Sequence, residues 1–233
     1  MALSGAEAVR AIMDGAQCLL LDFDGPVCDI FAGLSAPTVA ARLCAMLEAA
    51  GAALSPEVRG TDDPLEVFRF SASLGDEMAR LTLRALTELE VKAVATARPT
   101  PGAADLIIRA RDNGMTVGIV SNNSDEAVAN FVDREGLGEG VDYISARSIA
   151  DPSLMKPNPY LLDQALIHLS ADASVALLVG DSVTDVEASK RAGIVAVGYA
   201  NRPGKAERLI RAGADLIVSS MEELVAPLNS RKP

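Results

Sequence analysis

The chain of 233 residues has no tryptophan, one histidine and three cysteines, and aromatic residues make up only 3% of it. The single histidine, His168 in "YLLDQALIHLS", leaves a phosphohistidine or Ser–His–Asp mechanism with no second histidine to use, and on that helix it reads as structural. Cys18, Cys28 and Cys44 are odd in number and lack metal-ligand spacing. They read as small buried hydrophobes in a reducing compartment. No run reaches the ~18 apolar residues that span a bilayer, so no membrane partner is expected. Positive charge is scarce. The net charge of −11 argues against a nucleic-acid backbone as partner. A full phosphate loop is missing too, because "GYANRPGKAERLI" has Gly and Lys without the Gly-Lys-Ser/Thr pattern. There are no internal repeats and no low-complexity tracts. The N-terminal "MALSGAEAVRAIMDG" reads as a helix with a Ser4–Glu7 capping box and not as a signal peptide. A cytoplasmic monomer or homodimer is expected.

What the chain has is aliphatic bulk, 49% hydrophobic residues, in a length that buries roughly 70% of its unfolded surface. Short apolar runs, "AQCLLLDFD", "GMTVGIVSNN", "SVALLVGDS" and "GIVAVGYAN", read as buried strands. "VDYISA" and "ADLIVSS" are weaker strand signals. Helical patterns such as "PGAADLIIRARDNG" and "SDEAVANFVDREG" lie between them, several ending in Gly. Such alternation predicts an α/β fold with a Rossmann-like, doubly wound parallel sheet. From about Asp29 to Arg98 no convincing strand occurs. "SAPTVAARLCAMLEAAG", "DDPLEVFRFSASLG" and "DEMARLTLRALTELEVKAVAT" predict three helices, the first capped by Ser35, and "ARPTPG" leads back to the alternation. The core is therefore expected over 1–28 and 99–233, with an inserted all-helical cap over 29–98.

Polar residues collect where the strands end, which is where open parallel sheets bind ligands. Asp22 and Asp24 follow the first run, and Ser121, Asn122 and Asn123 follow the second. Asp181, Ser182 and Asp185 follow "ALLVG", and Lys156 lies in "DPSLMKPNP". At least three carboxylates converge. Like charges at short range are costly unless a cation offsets them, and a hard divalent ion such as Mg²⁺ suits carboxylates and water.

These segments, "DFDGPV", "SN", the Lys of "MKPNP" and "GDSVTD", resemble in order and spacing the four motifs of the haloacid dehalogenase superfamily. The likeness is to its phosphatase branch with a helical cap, the phosphoglycolate phosphatase-like group, and it runs over nearly the whole chain from Gln17. The resemblance implies a Mg²⁺-dependent phosphatase of small phosphorylated metabolites. By it, Asp22 is the nucleophile that becomes an aspartyl-phosphate, and Asp24 is the general acid and base. Ser121 donates to the phosphoryl oxygens, Lys156 neutralises them, and Asn122 and Gly25 contact substrate. The metal ligands are Asp22, the backbone carbonyl of Asp24, and Asp181. Asp185, one helical turn on, faces the same site and is counted with the metal residues, directly or through water. Pro26 departs from the pattern, which usually has Thr or Val, and removes one N–H. A sugar-phosphate mutase like β-phosphoglucomutase and a non-catalytic binding protein on the same fold are the alternatives. Arg42, Arg59, Arg69, Arg80 and Arg84 are candidate substrate contacts in the cap, and "RGTDDPLEVFRFSASLG" is the tract expected to carry specificity.

Overall fold

A computed structural model describes residues 5–229. Six strands form one parallel sheet in the order β5-β4-β1-β6-β7-β8. They are β1 (Cys18–Leu21), β4 (Thr116–Ser124), β5 (Tyr143–Arg147), β6 (Ala176–Gly180), β7 (Val195–Tyr199) and β8 (Leu216–Val218). The remaining two, β2 (Cys28–Asp29) and β3 (Arg98–Pro99), pair antiparallel with each other. Numbering only the sheet strands, this is the 3-2-1-4-5-6 order, in which the direction of winding reverses at the first strand.

The central strands alternate faces. Leu19 and Leu21 of β1 and Leu177 and Val179 of β6 join one apolar cluster. Cys18 and Leu20, with Ala176 and Leu178, join another. The first cluster is covered by α1 (Ala6–Gly15), α6 (Ala103–Asp112), α7 (Asp125–Arg134) and α11 (Glu222–Leu228). The second is covered by α8 (Tyr160–Leu169) and α9 (Val183–Ala192), while α10 (Lys205–Ala212) packs beside α9. Burial on both faces is why these strands read as continuous apolar runs. The Rossmann-like, doubly wound α/β class is as expected. All three cysteines are buried and free. His168 stacks on Tyr143 at 4.2 Å, a structural position. Among the described residues no helix is long and apolar enough to cross a membrane.

Four helices lie between β2 and β3: α2 (Ala36–Ala49), α3 (Pro56–Arg59), α4 (Pro64–Ser73) and α5 (Asp76–Val94). Ser35, Ser55 and Asp63 cap the first three, each with a proline in the first turn. Val39, Leu43 and Leu47 of α2 meet Val67 and Phe68 of α4 and Leu86 and Leu89 of α5 in a core of their own. Some elements differ from expectation. The stretch from Asp29 to Arg98, read as free of strand, begins and ends in the β2–β3 pair. Two residues per strand show no period, so only the pairing reveals them. Helix α3 is a single turn and escapes a periodicity test for the same reason. Helix α11 was not anticipated either. The capping box on Ser4 lies outside the described residues.

Candidate active site

The ends of β1, β4 and β6 bring four stretches of sequence to one edge. They line a cavity of about 470 Å³ that holds Asp22, Asp24, Ser121, Asn122, Lys156, Asp181 and Asp185. Lys156 is only 2% exposed. Its Nζ donates to Asp22 Oδ1 at 2.7 Å and to the Val120 carbonyl at 2.9 Å, and lies 2.6 Å from Asp185 Oδ1. Burial works against its charge, but the Asp185 and Asp22 carboxylates outweigh it and hold the ammonium above its ordinary range. Burial likewise opposes the charge on Asp185, which Lys156 and the Ser182 hydroxyl and N–H overcome, leaving that carboxyl below its usual value.

Asp22 differs from Asp185. Burial, reinforced by Asp185, raises it well above the usual carboxylate range despite Lys156. Its described hydrogen bonds, from Phe23 N–H and Lys156, both end on Oδ1. Asp181 is raised by burial, with Lys205 acting against the shift. Asp22, Asp181 and Asp185 each offer a carboxylate oxygen within 4.8 Å of the others. Against the three carboxylates stand two ammonium groups, Lys156 and the Lys205 that contacts Asp181, which leaves one negative charge without a counter-ion. Hard carboxylate donors with a charge deficit fit a divalent cation.

Not every expected site residue sits as the motif implied. Both ends of the Asn122 amide are engaged by the backbone of Lys156: Oδ1 accepts from its N–H at 2.8 Å and Nδ2 donates to its carbonyl at 3.2 Å. Asn122, expected at the substrate, lines the cavity and also holds the lysine loop. Asp185 Oδ2 accepts from Asp181 N–H, Ser182 N–H and the Ser182 hydroxyl in a capping box at the start of α9. Ser121 is fully buried, its hydroxyl donating to Asn123 Oδ1 at 3.2 Å and accepting from Asn123 N–H at 3.0 Å. Burial pushes the Asp24 carboxyl up to about 7, against the bond it accepts from Ile30 N–H.

After Asp24 the chain reverses tightly. Val27 and Cys28 N–H both donate to Phe23 O, and Gly25 N–H donates to Cys28 O. None of these bonds needs the N–H that Pro26 lacks. Gly25 has φ +108°, and a Cβ there would stand 2.5 Å from Asp181 Cγ and Oδ2. The glycine is required by the approach of Asp181 as well as by the backbone. Gly25→Ala is expected to cost about 1–3 kcal/mol of backbone strain and to displace Asp181, lowering the melting temperature and weakening divalent-cation binding measured by calorimetry. Unchanged values for both would refute the close approach.

Three functional-looking residues lie outside the motifs. Lys205 Nζ contacts Asp181 Oδ2 and lies 3.0 Å from Asn201 Oδ1. It belongs to "GYANRPGK", whose glycine–lysine pattern was the available signal. Glu90 and Arg147 form an ion pair of 2.6 Å behind Asn123, and no local pattern marked either one. Of the arginines in the inserted helical segment singled out above, Arg69 lines this cavity, beside Asp62, Asp63, Pro64 and Leu65 of the tract expected to carry specificity.

Known proteins resemble this arrangement. The family model for haloacid dehalogenase-like hydrolases matches residues 16–193. The phosphoglycolate phosphatase of Neisseria meningitidis serogroup A is 27% identical over 96% of this chain and 98% of its own length. The phosphoglycolate phosphatase of Synechococcus elongatus is 28% identical over 54% of this chain, which spans 57% of that relative. The crystal structure of CbbY from Rhodobacter sphaeroides in complex with phosphate superposes with a TM-score of 0.64 at 24% identity, covering 92% of this chain and 99% of CbbY, a likeness of fold. With the family match running from the strand that leads into Asp22 to the helix that carries Asp185, the chain is an enzyme of the haloacid dehalogenase-like hydrolase family.

Proposed function

We propose that this protein is a Mg²⁺-dependent phosphatase that hydrolyses small phosphomonoesters through an aspartyl-phosphate on Asp22. The observation that carries the reading is the buried Asp22–Lys156 contact of 2.7 Å beside Asp181 and Asp185. The relatives named phosphoglycolate phosphatases support the substrate class. Asp22 attacks phosphorus, and the ester oxygen leaves with the proton that Asp24 gives up. Asp24 then takes a proton from the water that cleaves the acyl-phosphate, which frees inorganic phosphate and restores Asp22. A carboxyl with a value near 7 suits both directions of that transfer. Ser121 and Lys156 receive the phosphoryl oxygens. Asp22, Asp181 and the Asp24 carbonyl, with Asp185 beside them, would hold Mg²⁺, which would supply further neutralisation of phosphoryl charge. Asp185 also steadies Lys156, whose Nζ lies 2.6 Å from its Oδ1.

In this reading residues 29–98 are a cap over the site, and Arg69 with the loop before α4 meets the leaving group. A cytoplasmic location belongs to the same reading, supported by the three buried free thiols. The test is phosphate release from a panel of phosphorylated metabolites and p-nitrophenyl phosphate with Mg²⁺. Release that stops on chelation and returns with Mg²⁺ is expected. No release from any substrate, full release after exhaustive chelation, or conversion of a hexose 1-phosphate to its 6-phosphate without net release would each overturn it.

A further inference from the structure

Helix α5 closes the inserted segment, yet its C-terminal half is tied to the sheet. Glu90 on α5 is 1% exposed and Arg147 at the end of β5 is 3% exposed. Arg147 Nη2 donates to Glu90 Oε2 at 2.6 Å. The same carboxylate accepts from Ser124 N–H at 2.8 Å, and its other oxygen accepts from Asn123 Nδ2 at 3.1 Å. Arg147 Nε donates to the Asn122 carbonyl at 2.9 Å. Arg134 adds bonds to the Val94 and Ala97 carbonyls at the end of α5.

We infer that Glu90 and Arg147 are positioning residues that set the Ser121–Ser124 end of β4, where the pairing with β5 shifts register, and through it the hydroxyl that donates to the phosphoryl oxygens. The chain of contacts has a direction. Glu90 accepts from the Asn123 amide nitrogen, which turns the amide oxygen toward Ser121. That oxygen accepts from the Ser121 hydroxyl in this structure, and Asn123 N–H donates to the same Oγ; when phosphate binds, the single hydroxyl proton turns to the phosphoryl oxygen while Asn123 N–H keeps Oγ in place. Ser124 N–H, held by the same carboxylate, fixes where β4 ends and α7 begins, and Arg147 fixes the Asn122 carbonyl between them. Stability is a poor explanation for the pair. A buried ion pair is commonly no better than apolar residues of similar volume, and Arg147 Nη1 is buried without a hydrogen-bond partner among the described residues. What the pair supplies is orientation. Because Glu90 stands on the helix that leads back from the inserted segment, a shift of that helix moves the end of β4 with it.

The inference rests on the phosphatase reading, in which Ser121 receives phosphoryl oxygen, and the experiment separates the two. Wild-type turnover of p-nitrophenyl phosphate tests that reading. The variants Glu90→Gln, Arg147→Lys and the double Glu90→Met/Arg147→Met test the inference. Glu90→Gln leaves Arg147 buried without its counter-charge. Its melting temperature should fall, and its inhibition constant for inorganic phosphate should rise about tenfold, the equivalent of one well-placed hydrogen bond. The double variant should regain the melting temperature and keep the weak phosphate binding. Arg147→Lys keeps the charge and gives up the bond to Asn122, so it should fold and still bind phosphate several-fold less well. Mg²⁺ affinity by calorimetry should match the wild type throughout, because Asp22 and Asp181 are untouched. Wild-type phosphate inhibition in Glu90→Gln overturns the inference. So does recovery of phosphate binding together with stability in the double variant, or a parallel loss of Mg²⁺ affinity. If the double variant does not fold, Arg147→Lys decides: wild-type phosphate binding there overturns the inference.

Discussion

Asp22→Asn should reduce phosphomonoester hydrolysis to background, with no phosphoenzyme detectable after rapid quench. The carboxylate oxygen that would bond to phosphorus becomes part of a neutral amide, a far weaker nucleophile. Stability should move the other way. In the native site Asp22 is raised well above the usual range because burial and Asp185 disfavour its charge. Removing that charge relieves the penalty without stranding Lys156, whose ammonium keeps Asp185 Oδ1 at 2.6 Å. The melting temperature of the metal-free variant at pH 7 should therefore equal or exceed that of the wild type. A large fall would mean that the Asp22–Lys156 contact holds the fold together. Residual turnover through a covalent intermediate would move the nucleophile to another residue.

Asp24→Asn should lose roughly 10²–10⁴-fold, the usual worth of general acid–base catalysis, and the loss should depend on the leaving group. An alkoxide needs the proton as it departs. A nitrophenolate needs little, so its first step should be nearly spared while the water-dependent second step is slowed. Aspartyl-phosphate should then accumulate on the peptide carrying Asp22, where mass measurement detects it. Wild-type turnover of an alkyl phosphate would remove Asp24 from the role of acid. The same residue has a signature in stability. Its folded value is about 7, whereas an unfolded aspartate titrates near ~4. Between those values the folded protein keeps a proton that the unfolded chain has released, so stability falls as pH rises through that window. Denaturant unfolding of the metal-free protein at pH 5 and pH 7 should show this slope, and Asp24→Asn should reduce it, leaving the part that the raised Asp22 and Asp181 contribute. An equal slope in the variant would assign the effect to another group.

Much of this protein was legible in its sequence because the relevant signals are local. A strand buried on both faces is a short apolar run wherever it occurs, so β1, β4, β6 and β7 announced themselves. Asp22 and Asp181, which follow β1 and β6, and Ser121, expected after the second run but lying within the last residues of β4, come to one edge because parallel strands all end on the same side. The helices of the inserted segment were legible from Ser35, Pro64 and the spacing of Val39, Leu43 and Leu47. The sequence by itself thus determined the α/β class, the interruption by helices, and which polar residues of the four segments gather at one sheet edge. Only the tertiary structure decided what those side chains do to one another. Asn122 turns its amide to the backbone of Lys156, 34 residues away. Lys205 reaches Asp181 across 24 residues, and Arg147 reaches Glu90 across 57. Periodicity and capping act within a few turns of chain, whereas these partnerships depend on how strands and helices are stacked. A buried carboxylate such as Glu90 looks like any solvated helix glutamate until the element that packs over it is known.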